Sequence, residues 1–210
     1  DAETPVDSTS AKGAHIEAVR VTATVDPTSN FSIAGVASGA TRCGVSTSVT
    51  TTATSVPFGT MSLNTFKTLA HNLTVSTNAS GGYVVTSAEN DQLGKDGATT
   101  PNIADTLCDS GTCSESTPSE WNTATNTGFG YSLENVDAAS IAFEYDDSSN
   151  TFRSRQFSDL QASETPATIF SSTTVANAED IYVCYRLSVG ATQAAGDYEN
   201  QITYTATGTF

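Results

Sequence analysis

The chain has 210 residues, a length that one undivided β domain can fill. Lys and Arg number 8 against 23 Asp and Glu, a formal net charge of -15, so phosphate backbones and anionic headgroups are repelled and no nucleic-acid partner is expected. No apolar run approaches the ~20 residues that cross a bilayer, so no membrane insertion is expected either.

Only 15% of the residues are charged, and most polarity comes from Ser, Thr and Asn, which suit strands and turns better than helices. The sequence begins at Asp1 and its one methionine is Met61, which leads us to expect a cleaved secretory signal and an extracellular or cell-surface location.

Taken in chain order, residues 1–13 hold one bulky apolar residue, Val6, and read as a flexible polar arm. In "HIEAVRVTATVDP" Val19, Val21, Ala23 and Val25 alternate with Arg20, Thr22 and Thr24, the period of a half-buried strand, and Pro27 ends the run. "NFSIAGV" predicts a short strand with Phe31 and Ile33 on one side. "VSTSVTTTATSVPF" predicts another, broken at Pro57. "NLTVSTNASGGYVVTS" carries the clearest hairpin signal, two alternating runs around Gly-rich turn residues.

Residues 88–127 lose periodicity and read as a long loop. Strands are expected again at "GFGYSL", "SIAFEY", "TFRSRQF", "ATIFSS" and "IYVCYRLSV", and "SDLQASE" hints at a turn of helix. In "IYVCYRLSV" Ile181, Val183, Tyr185, Leu187 and Val189 face one way, and Cys184 and Arg186 the other. The last run, "QITYTATGTF", alternates to Phe210. About ten short strands with turns between them predict an all-β, two-layer antiparallel β-sandwich, jelly-roll or immunoglobulin-like, with an extended N-terminal arm. The expected division is 1–25 as arm and donor or first strand, and 26–210 as a single sandwich domain.

The four cysteines fit an oxidising compartment. Cys108 and Cys113 flank "DSGT" and can meet within one loop, which leaves Cys43 to pair with Cys184. A metal site is the alternative, but there is no C-x-x-C pair and no histidine close by in sequence.

No nucleophile elbow, H-E-x-x-H helix or phosphate loop occurs, and His15 and His71 stand alone, so neither an enzyme nor a cofactor is expected. Glu134 with Asp137, and Glu144 with Asp146 and Asp147, could serve as catalytic carboxylates, but acids at this density form such pairs by chance. "ENDQLGKDG" and "EYDDSSN" could give oxygens to Ca²⁺, although neither has EF-hand spacing and both read as acidic turns. Trp121, Tyr83, Tyr131 and Tyr145 would form a sugar-stacking platform if exposed together, and equally suit a core. Asn30, Asn72 and Asn78 head glycosylation sequons.

"VTATVDPTSNFSIAG", "VPFGTMSLNTFKTLAHNLTVSTNASGGYVVT" and "ATQAAGDYENQITYTATGTF" together resemble secreted microbial β-sandwich filament proteins. These are the TasA/camelysin biofilm-fibre proteins, the archaeal bundling pili and, more distantly, spore-coat-U-like pilins. The resemblance implies a subunit of a pilus or matrix fibre, joined head to tail with identical copies by donor-strand complementation. Glycans or neighbouring filaments would be further partners. The donor would carry Val6, Ile16, Ala18, Val19 and Val21. Two alternatives stay open: "AVRVTATV" is the domain's own first strand, or the chain is a monomeric carbohydrate-binding or adhesive domain.

Overall fold

The computed structural model describes Asp1, Ala2, Thr4, Gly13 and residues 17–146 and 151–210. Val6, His15, Ile16 and Asp147 lie outside the described residues. The described chain is all-β, its paired strands are antiparallel, and no helix occurs in it.

The first strands are β1 (Ser29–Gly35), β2 (Thr41–Arg42), β3 (Val45–Ser46), β4 (Lys67–Thr77) and β5 (Tyr83–Glu89). Next come β6 (Leu93–Lys95), β7 (Asn102–Ile103), β8 (Ser119–Glu120), β9 (Gly128–Asn135) and β10 (Ser140–Ile141). The last are β11 (Arg153–Ser154), β12 (Ala167–Ser172), β13 (Ala176–Ser188), β14 (Tyr198–Glu199) and β15 (Ile202–Gly208). One four-stranded sheet runs β1-β4-β13-β9 and a second runs β10-β12-β5-β15.

The turn expected to close a hairpin at "NLTVSTNASGGYVVTS" instead joins two strands that do not pair. It carries the chain from β4, second in one sheet, to β5, third in the other, because each strand finds both its neighbours elsewhere. Thr77 Oγ1 accepts the Ala79 N–H at 3.1 Å to start the turn, and Gly82, with φ +78°, ends it. A Cβ on Gly82 would lie 2.0 Å from the Ser172 carbonyl oxygen, so only glycine fits there.

Both sheets turn apolar faces to one core. Leu73 and Val75 of β4, Phe129, Tyr131 and Leu133 of β9, and Ile181, Val183, Tyr185 and Leu187 of β13 meet Tyr83 and Val85 of β5 and Ile169 and Phe170 of β12. A bulge between Thr168 and Phe170 breaks strict alternation and lets the adjacent Ile169 and Phe170 both enter the core. The arrangement is consistent with the expected sandwich.

A second apolar cluster lies on the outer face of β4 and β13, where Ala70 and Cys184 meet Val36, Cys43, Trp121 and Phe152. Cys184 bonds Cys43 across 141 residues of chain, and Cys108 bonds Cys113 within the loop. Both pairings follow the sequence expectation. Arg186, on the same face, donates to the Trp121 carbonyl at 2.6 Å and to Thr68 Oγ1 at 3.2 Å. Its guanidinium lies 3.5 Å from the Phe152 ring centroid and 4.6 Å from that of Phe66, and burial lowers its pKa to about 9.

Several expected elements differ. Residues 88–127 are not a bare loop: β6, β7 and β8 lie in them, and Ile103 and Trp121 are buried. Only Val45–Ser46 of "VSTSVTTTATSVPF" is strand, because threonine hydroxyls there bond the backbone instead: Thr51 Oγ1 accepts the Val36 N–H at 2.8 Å and donates to the Ala70 carbonyl at 2.6 Å. "SIAFEY" and "TFRSRQF" yield only β10 and β11. "SDLQASE" is a turn in which Asp159 Oδ1 accepts the N–H groups of Gln161 and Ala162.

The loop lengths set the worth of each disulfide. Replacing Cys43 and Cys184 by Ser should lower the unfolding free energy by about 5 kcal/mol, and replacing Cys108 and Cys113 by about 2 kcal/mol, in denaturant melts of the two double variants.

Candidate functional site

The two main sheets have parallel strand orders, so their edges coincide: β9 over β10 on one side, β1 over β15 on the other. Short connections from β9 to β10 and from β12 to β13 enforce this. On the β1/β15 side the layers stay apart, and a groove of about 1240 Å³ opens between them. Its floor is the inner face of β4 and β13, with His71, Tyr185 and Leu187, and Phe129 of β9. Residues 53–61 form one wall with Val56, Phe58 and Met61, and Ile33 of β1 lies beside them. Ile202 and Tyr204 of β15 and the 193–201 segment form the other wall.

β15 is an edge strand paired only with β5 among the described residues. Thr209 donates to the Gly82 carbonyl at 2.9 Å and Asn90 donates to the Gln201 carbonyl at 2.9 Å. By antiparallel alternation the odd-numbered residues of β15 bond to β5, and Ile202, Tyr204, Ala206 and Gly208 turn their N–H and C=O groups to the open side. The same four side-chain positions point inward and are only half-buried. A strand laid along that edge would take up the free ladder and complete the burial at once.

One polar chain crosses the groove floor. Tyr204 and Tyr185 share a hydrogen bond of 2.6 Å between hydroxyls, Tyr185 meets His71 Nδ1 at 3.0 Å, and His71 Nε2 lies 2.6 Å from the Thr52 carbonyl. Burial holds His71 below its ordinary pKa, against the opposing pull of the Thr52 and Ser55 backbone. Burial also raises the Tyr185 and Tyr204 hydroxyls, so both donate and accept as neutral phenols.

Away from the groove the chain offers an apolar strip outside every strand. Residues 17–28 lie outside every strand, and Val19, Val21 and Val25 are 85%, 87% and 82% exposed. Of the two readings left open for "AVRVTATV", the one that makes it the domain's own first strand has no strand there to support it. Its root is fixed: Asn78 Oδ1 accepts the Thr28 N–H at 2.7 Å, Asn78 Nδ2 donates to the Asp26 carbonyl at 2.8 Å, and Thr77 Oγ1 donates to the Thr28 carbonyl at 2.9 Å. Beyond this clamp Val19, Val21 and Val25 would share one face of a strand, and Ala18 the other. Val6 and Ile16 lie outside the described residues.

The other sequence candidates fall elsewhere. Trp121, Tyr83 and Tyr131 are each 0% exposed, so they build cores rather than a sugar platform. Glu134 accepts the Cys43 N–H at 2.5 Å and lies 3.9 Å from Arg42, Asp137 accepts the Asp180 N–H at 2.5 Å, and Glu144 accepts the Asn135 N–H at 2.9 Å. These acids hold backbone and do not converge on a cleft. The sulfurs of Cys43 and Cys184, near Glu134, are joined to each other. Of the sequons, Asn30 is exposed on β1, Asn72 is half-buried and bonded to the Ile181 carbonyl at 3.3 Å, and Asn78 is engaged by the arm root.

The groove itself escaped the sequence reading. The alternation of Ile202, Tyr204 and Ala206 marks β15 as half-buried, but no local pattern says that its second edge lacks a neighbour. No family model, curated protein or solved structure matches this chain.

A base whose pKa is lowered in the folded state costs stability as pH falls below its unfolded value. Protonation of His71 should therefore weaken the fold as pH drops below 6.5, the ordinary histidine value. Urea melts of His71→Gln should lose that part of the acid sensitivity and keep the rest.

Proposed function

We propose that this chain is a structural subunit of an extracellular filament, a pilus or biofilm-matrix fibre, in which the arm of one copy adds a strand to the groove of the next. The observation that carries this is the coexistence of three exposed, alternating valines with an open strand edge on the same chain. The occupant is a second copy, because the exposed segment supplies what the groove lacks: a run of apolar side chains on one face and an unused backbone ladder. The wall segment adds charge complementarity. Asp197 and Glu199 lie at the groove, and Arg20 stands between Val19 and Val21 on the opposite face of the donor strip.

The clamp at Asn78 sits at the Ser29/Thr77 end of β1, whereas the groove contacts Ile33 and His71 near the other end. The arm thus leaves the domain away from its own groove, which favours insertion into a neighbour. Head-to-tail insertion is heterologous, so it makes open fibres rather than closed dimers. Two disulfides and the lack of any helix able to cross a membrane, among the described residues, are compatible with an extracellular location.

Electron microscopy of the full chain should show filaments. Val19→Asp with Val21→Asp should abolish them while circular dichroism keeps the β signature; each valine buried at the joint is worth about 1.5–3 kcal/mol, so each change should weaken association at least about tenfold. A wild-type chain that stays monomeric at high concentration, or a double variant that still polymerises, would overturn the assembly. A carbohydrate-binding monomer would instead ignore these changes.

Subunits of charge -15 repel one another, so filament yield should rise with ionic strength, as followed by sedimentation. Filaments that dissociate on adding salt would contradict the apolar joint.

A further inference from the structure

A buried group of acids lies where four segments converge. Glu89, the last residue of β5, is 0% exposed and directs its side chain inward like Tyr83, Val85 and Ser87 before it. Its carboxyl lies within hydrogen-bonding reach of Asp105, which follows β7. Asp159 and Glu164, from the turn after Phe157, add their charge to the same place. No lysine or arginine contributes there, and the one ion pair among the described residues is Arg42 with Glu134, on the outer face of the other sheet.

The oxygens of this group are incompletely satisfied. Asn200 Nδ2 donates to Glu89 Oε2 at 2.6 Å, and Gln92 Nε2 lies 3.5 Å from Asp105 Oδ2. Glu89 Oε1 and Asp105 Oδ1 are buried with no hydrogen-bond partner. The Ser158 carbonyl accepts the Glu89 N–H at 2.9 Å and so holds the end of β5 beside the turn that carries Asp159. Asp159 is occupied in capping its own turn, through Gln161 and Ala162. Buried carboxylate oxygens without donors are costly, and a fold keeps them when something positive sits between them.

We propose that Glu89 and Asp105 are the anionic core of a calcium site, completed by water and, once its amide turns over, by the side-chain oxygen of Asn200. The donors are all oxygen, the set is irregular, and the flanking Asp159 and Glu164 add long-range attraction, which together suit Ca²⁺ better than a transition metal. The ion would join the end of β5 to the segments carrying Asp105 and Asn200. A shared proton is the competing occupant. Burial, then the Asp105 charge, pushes Glu89 up to about 10, and burial pushes Asp105 up to about 7 while a hydrogen bond from Glu89 pulls it down. One proton, however, satisfies a single contact and leaves the pair one buried negative charge, beside Asp159 and Glu164, with no cation to balance it.

The test is a Ca²⁺ titration of the full chain after chelation, by calorimetry and thermal melting at pH 7.5. One Ca²⁺ should bind with a Kd of about 0.1–1 mM, the range of extracellular modules, and a tenfold excess over Kd should raise Tm by about 3–6 °C. Glu89→Gln, which is isosteric with the protonated acid, and Asp105→Asn should each remove the response. Failure to bind at about 10 mM Ca²⁺ would overturn the site, and a Tm that falls from pH 5 to pH 9 in the wild type but not in Glu89→Gln would identify the proton as occupant. An equal response in wild type and both variants would overturn it too, by placing the ion on the acidic surface.

Discussion

The structure depends on one constraint: a strand edge that faces an apolar groove has two unmet demands, its backbone ladder and its inward side chains. β15 carries both. Its pairing with β5 satisfies the odd-numbered residues, and the even-numbered ones present backbone and half-buried side chains to the same opening. A loop can shield such an edge only in part, and residues 53–61 do so with Val56, Phe58 and Met61 while leaving the ladder free. The exposed valines of residues 17–28 carry the reverse deficit, apolar side chains and backbone with no sheet to join. Each deficit is costly in water alone and would be relieved by the other, so the assembly proposed above accounts for both with one interaction.

The rest of the fold keeps that opening in shape. The outer face of β4 and β13 is covered by the 36–47 and 108–126 segments, packed on Trp121 and fastened by the Cys43–Cys184 bond. Arg186 lies between two aromatic rings there and donates to the Trp121 carbonyl, so a buried cation is held by π-faces and a backbone dipole in place of a carboxylate. On the inner face, Tyr185 and Tyr204 link β13 to β15 across the layers through their hydroxyls, beside the groove. The floor of the groove is thus braced from both sides of one sheet.

Charge enters at two scales. The net charge of -15 is spread over exposed turns, where it resists the close approach of copies and keeps the bare chain from indiscriminate aggregation. The Glu89 and Asp105 pair is a different matter, because burial removes the water that would otherwise screen it. A cation there fastens the chain near the start of β15, where Asn200 and Gln201 meet Glu89 and Asn90.

Local pattern alone determined the all-β class, the two strands and the turn in "NLTVSTNASGGYVVTS", the inward and outward faces of β13 and the cysteine partners, since each rests on alternation, turn residues or loop closure readable within a short window. It wrongly paired those two strands as a hairpin, which they are not. The same alternation left open whether "AVRVTATV" is a donor or the domain's own first strand, because a period of two states which face is apolar and never which neighbour covers it. Tertiary structure decided the rest. It placed Trp121, Tyr83 and Tyr131 in cores rather than on a platform, ordered residues 88–127 through short strands, brought Glu89 to Asp105, and left β15 without a second strand partner among the described residues. All of these are matters of pairing between distant segments, and pairing is set by the competition of every edge and face in the chain at once.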